Sequence, residues 1–121
     1  MNDAPGASAS LSPDVAVLPV AGVAQRLSLP VSRVHQLVRD GHLLSLRRDG
    51  DVVVPADFLA GNAVVKGLPG TITVLRDGGY DDADILRWLF TDDDSLPGAP
   101  IEALRSGRHR EVKRRAQAMA F

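Results

Sequence analysis

"VAQRLSLPVSRVHQLVRDGHLLSLRRDGDVVVP", residues 23–55, strings two helical stripes, a break and a hairpin together in that order. Starting one turn earlier, Val20, Val23, Ala24 and Leu27 recur at the i, i+3, i+4, i+7 spacing of one helix face. The break "SLP" follows, and Pro30 suits the first turn of a new helix, where its missing N–H is not needed. Val31, Val34, Leu37 and Val38 form the buried stripe of a second helix, and Gly41 stands where helices commonly stop. Two short helices joined this way outline a helix-turn-helix. "HLLSLRRDGDVVVP" then reads as two strands around Asp49-Gly50, a pair suited to a two-residue type I′ turn because both residues tolerate positive φ. Helix, turn, helix, hairpin is the order of a winged helix-turn-helix.

The stretches on either side complete the layout. Residues 1–16 are rich in Ala, Ser, Gly and Pro and poor in large apolar side chains, which predicts a flexible tail. Residues 17–60 hold the winged unit, and 61–121 form a helical C-terminal portion packed on it. In that portion "PADFLAG" suggests a helical turn, "LPGTITVLRDGG" a short helix, and "YDDADILRWLF" a helix with Asp81, Asp82 and Asp84 at its favourably charged start. The stretch "TDDDSLPGAP" reads as a loop before a last helix over roughly 107–120, with Val112, Ala116 and Met119 inward. The fold class expected is mainly α with a small β-hairpin.

Composition narrows the chemistry. A chain of 121 residues, 45% hydrophobic, can bury one modest core. It has no cysteine, which excludes disulfides and thiolate metal sites. No apolar run reaches the roughly 20 residues of a membrane span, and the start lacks a signal-peptide pattern, so a cytoplasmic protein is expected. The net charge is −1, but it is segregated: residues 61–100 carry −4 and residues 101–121 carry +4. Any anion-binding surface must therefore be local.

Enzymatic signals are weak. His35, His42 and His109 form no metal-ligand spacing. Asp92, Asp93 and Asp94 start like a calcium loop, but Leu96, Pro97 and Ala103 stand where that loop needs an oxygen ligand, Gly and Glu. "GLPGT" lacks the spacing and Lys of a P-loop, and no G-x-S-x-G elbow occurs. The expectation is a non-enzyme without cofactor or metal.

Polar side chains on the second helix suit a different task. Ser32, Arg33, Gln36 and Arg39 lie broadly opposite its apolar stripe, with His35 at the boundary. Arg can donate two hydrogen bonds to guanine, Gln can pair with adenine, and Ser can bond phosphate or base. A solvated outer face would have the same composition. In the hairpin a two-residue turn pairs Arg48 with Asp51 and Arg47 with Val52. Arg48 then has a carboxylate neighbour, whereas Arg47 lacks a partner in the hairpin and is the better phosphate contact; a slip of one residue exchanges the two. On the last helix Arg110, Lys113 and Arg114 make a second basic face, while Glu111 can pair with Arg115.

"VAQRLSLPVSRVHQLVRDGHLLSLRRDGDVVVPADFL" resembles the excisionase and MerR-type helix-turn-helix, with Ala24, Leu27, Ser32, Val34, Leu37, Gly41 and Leu43 at the matching places. It departs at Ser28, where such proteins often have Gly, and at Pro30, where a polar cap is common. "VVKGLPGTITVLRDGGYDDADILRWLF" and "REVKRRAQAMAF" extend the likeness to the actinobacterial Rv2175c-type DNA-binding proteins, over nearly everything after the tail. This resemblance implies double-stranded DNA as partner, with helix 31–40 in the major groove, hairpin 43–54 as the wing, transcription regulation as the role and the nucleoid as the location when bound. It also implies a Ser/Thr protein kinase acting on the tail, which contains no Thr and offers Ser8, Ser10 and Ser12. Monomer and homodimer both remain open. The competing reading is a protein-interaction adaptor that holds a partner through the acidic middle or the Trp88 region; fold does not fix function.

Overall fold

The chain enters the winged unit through a strand that its sequence does not announce. In the computed structural model, which describes residues 11–120, Val17–Pro19 forms β1 and runs straight into α1, Val20–Leu27. Residues 11–16, grouped with the tail by composition, carry a turn closed by the Val15 N–H on the Ser12 carbonyl at 3.0 Å. β1 is short and ends in proline, so alternation has no length over which to show.

α1 closes with two backbone bonds, Ser28 N–H to Gln25 O at 3.3 Å and Leu29 N–H to Ala24 O at 3.0 Å. This closure holds Ser28 in the left-handed region at φ 56°. α2, Val31–Arg39, starts behind Pro30 without a side-chain cap. It ends the same way as α1, with Gly41 N–H on Val38 O at 3.2 Å and His42 N–H on Leu37 O at 2.9 Å. Gly41 has φ 80°, which suits glycine, and here the sequence supplies one.

The wing follows. β2, Leu46–Arg48, and β3, Asp51–Pro55, pair antiparallel in the expected register, Arg48 opposite Asp51 and Arg47 opposite Val52. Asp49 and Gly50 both have positive φ, 55° and 86°, as a type I′ turn requires. β1 adds to the other edge of β3, giving the order β1-β3-β2. Leu43 and Leu44, expected to open the hairpin, instead lead into it as buried core residues.

After a 3-10 turn at Ala56–Phe58, β4, Leu59–Ala60, and β5, Ala63–Val64, make a second small ladder that sequence reading does not find. α3, Leu68–Asp77, tolerates its threonines because the hydroxyls of Thr71 and Thr73 donate to the carbonyls of Gly67 and Pro69. α4, Asp82–Leu89, is capped by the Asp81 carboxylate, which accepts the Asp84 N–H at 2.8 Å. Between the expected loop, 91–100, and the last helix the chain forms a further helix that sequence reading does not find, α5, Pro100–Arg105. Its surroundings of proline and glycine disguise it, although Pro at the first helical position is a regular start. α6, His109–Ala120, buries Val112 and Ala116 as expected.

One core joins both halves. Val23, Val34, Leu43, Val54 and Phe58 belong to the same buried cluster as Leu68, Ile72, Ile85, Leu89, Ile101 and Val112. Each such fully buried aliphatic side chain contributes roughly 1.5–3 kcal/mol against exposure. Arg105 ties the halves further, donating Nη1 to the carbonyls of Asp57 and Leu59 at 2.9 and 2.6 Å. The winged face is thus braced from behind by the helical portion. Among the described residues no helix is long and apolar enough to cross a membrane.

Candidate nucleic-acid interface

α2 is fixed to the core by Val34, which has no exposure, with Leu37 and Val38 half-buried beside it. That anchoring turns Ser32, Arg33, His35 and Arg39 outward as exposed side chains, while Gln36 is half-buried. Arg33 and Gln36 are brought together: Nη1 of Arg33 donates to Oε1 of Gln36 at 2.6 Å. Val31, expected on the buried stripe, is instead 44% exposed, because the first position of the helix lies beyond the reach of the core; it is the exposed large hydrophobic residue among those described. Beside the C-terminal end of α2 lies a residue that the sequence does not single out. The Arg76 guanidinium sits where a Cβ on Gly41 would lie 2.6 Å from its Nη1, and it grips both carboxylate oxygens of Asp82 at 2.9 Å. The acidic run just after Arg76 was the available signal, since it places opposite charges within one short turn.

In the wing the two arginines part company, though not as their register suggests. Arg48 faces Asp51 across the strands, yet among the described residues no ion pair joins them. Its Nη1 donates to Val15 O at 2.7 Å and its Nη2 to Ser12 O at 3.1 Å, so the half-buried guanidinium clamps the segment before β1. The expected Arg48–Asp51 pair gives way because two fixed carbonyls offer better directed acceptors than an exposed carboxylate. Arg47 is exposed and donates to Gly50 O at 3.2 Å, a long bond at the wing tip that leaves most of its N–H donors outward.

On α6, Arg110, Lys113 and Arg114 are exposed, and among the described residues they join no ion pair. The expected Glu111–Arg115 pair does not form. Glu111 meets Arg108 at 3.4 Å, and Arg115 turns to Asp93 at 3.1 Å. Asp93 is the stronger attractor because its carboxylate is only 9% exposed and already ordered: it accepts the Ser95 N–H and hydroxyl at 2.9 and 2.6 Å and the Trp88 indole N–H at 3.1 Å. The Ser95 bonds, with Arg115 and Trp88 behind them and burial opposing, hold its carboxyl well below the usual aspartate range. The acidic run thus serves as a joint between α4 and α6. Of the tail serines, Ser8 and Ser10 lie outside the described residues, and Ser12 is exposed with its hydroxyl accepting the Asp14 N–H at 3.1 Å.

Known proteins share this arrangement along nearly the whole chain. A family model described as "DNA-binding protein Rv2175c, wHTH domain" matches residues 4–59, and "Rv2175c C-terminal domain of unknown function" matches residues 65–120. The chain is 46% identical over 124 residues to the DNA-binding protein Rv2175c of Mycobacterium tuberculosis, covering 92% of this chain and 85% of that one. The NMR structure of Rv2175c superposes with a TM-score of 0.84 at 46% identity, over 93% of this chain and 86% of that one. With a wing, a turn-linked helix pair and a helical brace all in matching order, the chain belongs to the Rv2175c family of winged helix-turn-helix DNA-binding proteins.

Proposed function

We propose that this chain binds double-stranded DNA with α2 in the major groove and the β2–β3 hairpin against the neighbouring backbone, and that it regulates transcription from the nucleoid in the cytoplasm. The observation that carries this reading is the outward polar face of α2, with Ser32, Arg33, His35 and Arg39 exposed on a helix held rigidly by Val34. Arg33, Gln36, His35 and Arg39 face the bases, Ser32 and Arg47 bond phosphate, and Val31 suits a thymine methyl. Residues 17–60 do the reading and 61–121 brace them. Arg110, Lys113 and Arg114 add an auxiliary phosphate contact, supported by their exposure and lack of ion pairs among the described residues. No catalytic step is part of this reading.

Fluorescence anisotropy of a labelled duplex at two salt concentrations tests it. Arg39→Ala weakens binding, and Arg47→Ala flattens the dependence of log K on log salt by about 0.9 for the lost phosphate contact. Failure of the wild-type chain to bind any duplex at low salt would favour the adaptor reading instead. A kinase phosphate on Ser8, Ser10 or Ser12 would add roughly −1.5 to −2 charges to the N-terminal tail, and at Ser12, whose carbonyl Arg48 bonds, it would place them beside the wing, opposing DNA. These serines staying unmodified after incubation with Ser/Thr kinases removes that part of the reading.

A further inference from the structure

Arg33 and Gln36 are not independent readers of a groove. A guanidinium carries N–H donors and no acceptor, so the Gln36 amide must turn its oxygen, not its NH2, to Arg33 Nη1, 2.6 Å away, and this occupies one of the oxygen's two lone pairs. Recognition of adenine by glutamine needs both halves of the amide, the oxygen accepting from N6 and the nitrogen donating to N7. Guanine presents O6 and N7, two acceptors, which donors alone satisfy. We propose that the Arg33–Gln36 pair acts as one donor-rich reading unit that selects guanine over adenine at the base it faces. This specificity rests on the DNA-binding reading above and gives it a substrate preference.

The rest of the helix is consistent with that preference. Arg39 is exposed and brings further donors without an acceptor. The carboxylate that could accept from cytosine, Asp40, stands at the C-cap, about 10 Å along the axis from Arg33 at 1.5 Å per residue. Adenine could use the second lone pair of the Gln36 oxygen only by bringing its N6 amino donor up against the Arg33 N–H donors, or by opening the pair, which exchanges a charge-assisted hydrogen bond for the new contact.

Selection from a pool of random-sequence duplexes, run with the wild-type chain, Arg33→Ala and Gln36→Ala, tests the proposal. The wild-type chain should enrich a site with guanine at a position where Arg33→Ala loses the preference and admits adenine, because the Gln36 oxygen then has no competing cationic donor beside it. Replacing that guanine with 7-deazaguanine, which lacks the N7 acceptor, should weaken wild-type binding about tenfold, as measured by anisotropy. Circular dichroism of both variants should match the wild type. Enrichment of adenine at a position that Gln36→Ala erases would overturn the proposal, as would a guanine preference that survives Arg33→Ala. Salt-sensitive binding without base preference overturns the proposal alone. Absence of any duplex binding at low salt removes the DNA-binding reading together with it.

Discussion

Arg48 reaches past Asp51, its cross-strand neighbour, to give Nη1 to the carbonyl of Val15 at 2.7 Å. A wing residue that looks like a DNA contact is therefore a clasp for the chain entering β1. Arg48→Ala should cost about 1–2 kcal/mol of stability, since two carbonyls lose a charged donor. It should leave the salt dependence of DNA binding close to wild type, in contrast to Arg47→Ala. Chemical denaturation and anisotropy on the two variants check both halves. A flattened salt slope in Arg48→Ala would return this residue to the DNA surface.

Ser28 holds φ 56° at the end of α1, in the same closing geometry that Gly41 adopts at the end of α2. An L-residue in the left-handed region is strained where glycine is not. Ser28→Gly should therefore stabilise the fold by about 0.5–1 kcal/mol, a rise of roughly 2–5 °C in Tm for a domain of this size. Thermal unfolding gives the answer directly, and a lower Tm would mean that the serine side chain has a compensating role.

Much of this architecture could be read from the chain because it repeats simple rules. Val34, Leu37 and Val38 set the buried side of α2, and Asp49-Gly50 set the wing register, which the structure keeps. What escaped reading was what depends on distant partners. Leu43 and Leu44 look like strand residues, but they sit before β2 as members of the one buried cluster that spans both halves of the chain. Arg48 has a carboxylate neighbour in sequence and carbonyl partners from more than 30 residues away. Arg115 looked like a partner for Glu111 until the fold brought Asp93 beside it. α5 hid because its proline signals a loop unless the burial of Ile101 and Leu104 is known.

The Arg76 side chain of α3 lies close against Gly41 at the end of α2. Alanine at 41 would meet both a positive φ of 80° and the Arg76 Nη1 at 2.6 Å from its Cβ. Gly41→Ala should destabilise by about 1–3 kcal/mol. Part of this cost is backbone strain and part is displacement of the Arg76–Asp82 pair, and a double-mutant cycle separates them. In an Arg76→Ala background the same substitution should cost less, with the remainder reporting φ alone. Equal costs in both backgrounds would show that Arg76 simply moves aside.

Asp93 should govern the acid limb of stability. Its folded pKa is depressed by the Ser95, Arg115 and Trp88 donors, so the folded state favours the ionised carboxylate more than the unfolded chain does. The stabilisation is therefore fully present above the unfolded value of about 3.9, and it is lost as pH falls below that value towards the folded pKa. Asp93→Asn removes the charge but keeps the shape, and it turns an NH2 group towards one of the existing donors. At pH 7 the variant should be less stable by about 1–2 kcal/mol. Between about pH 5 and pH 2 its stability should fall less steeply than that of the wild type, because one depressed carboxylate no longer takes up a proton on unfolding. Urea titrations at stepped pH read this as converging midpoints in acid. Parallel wild-type and variant curves would mean that the acid sensitivity comes from elsewhere than Asp93.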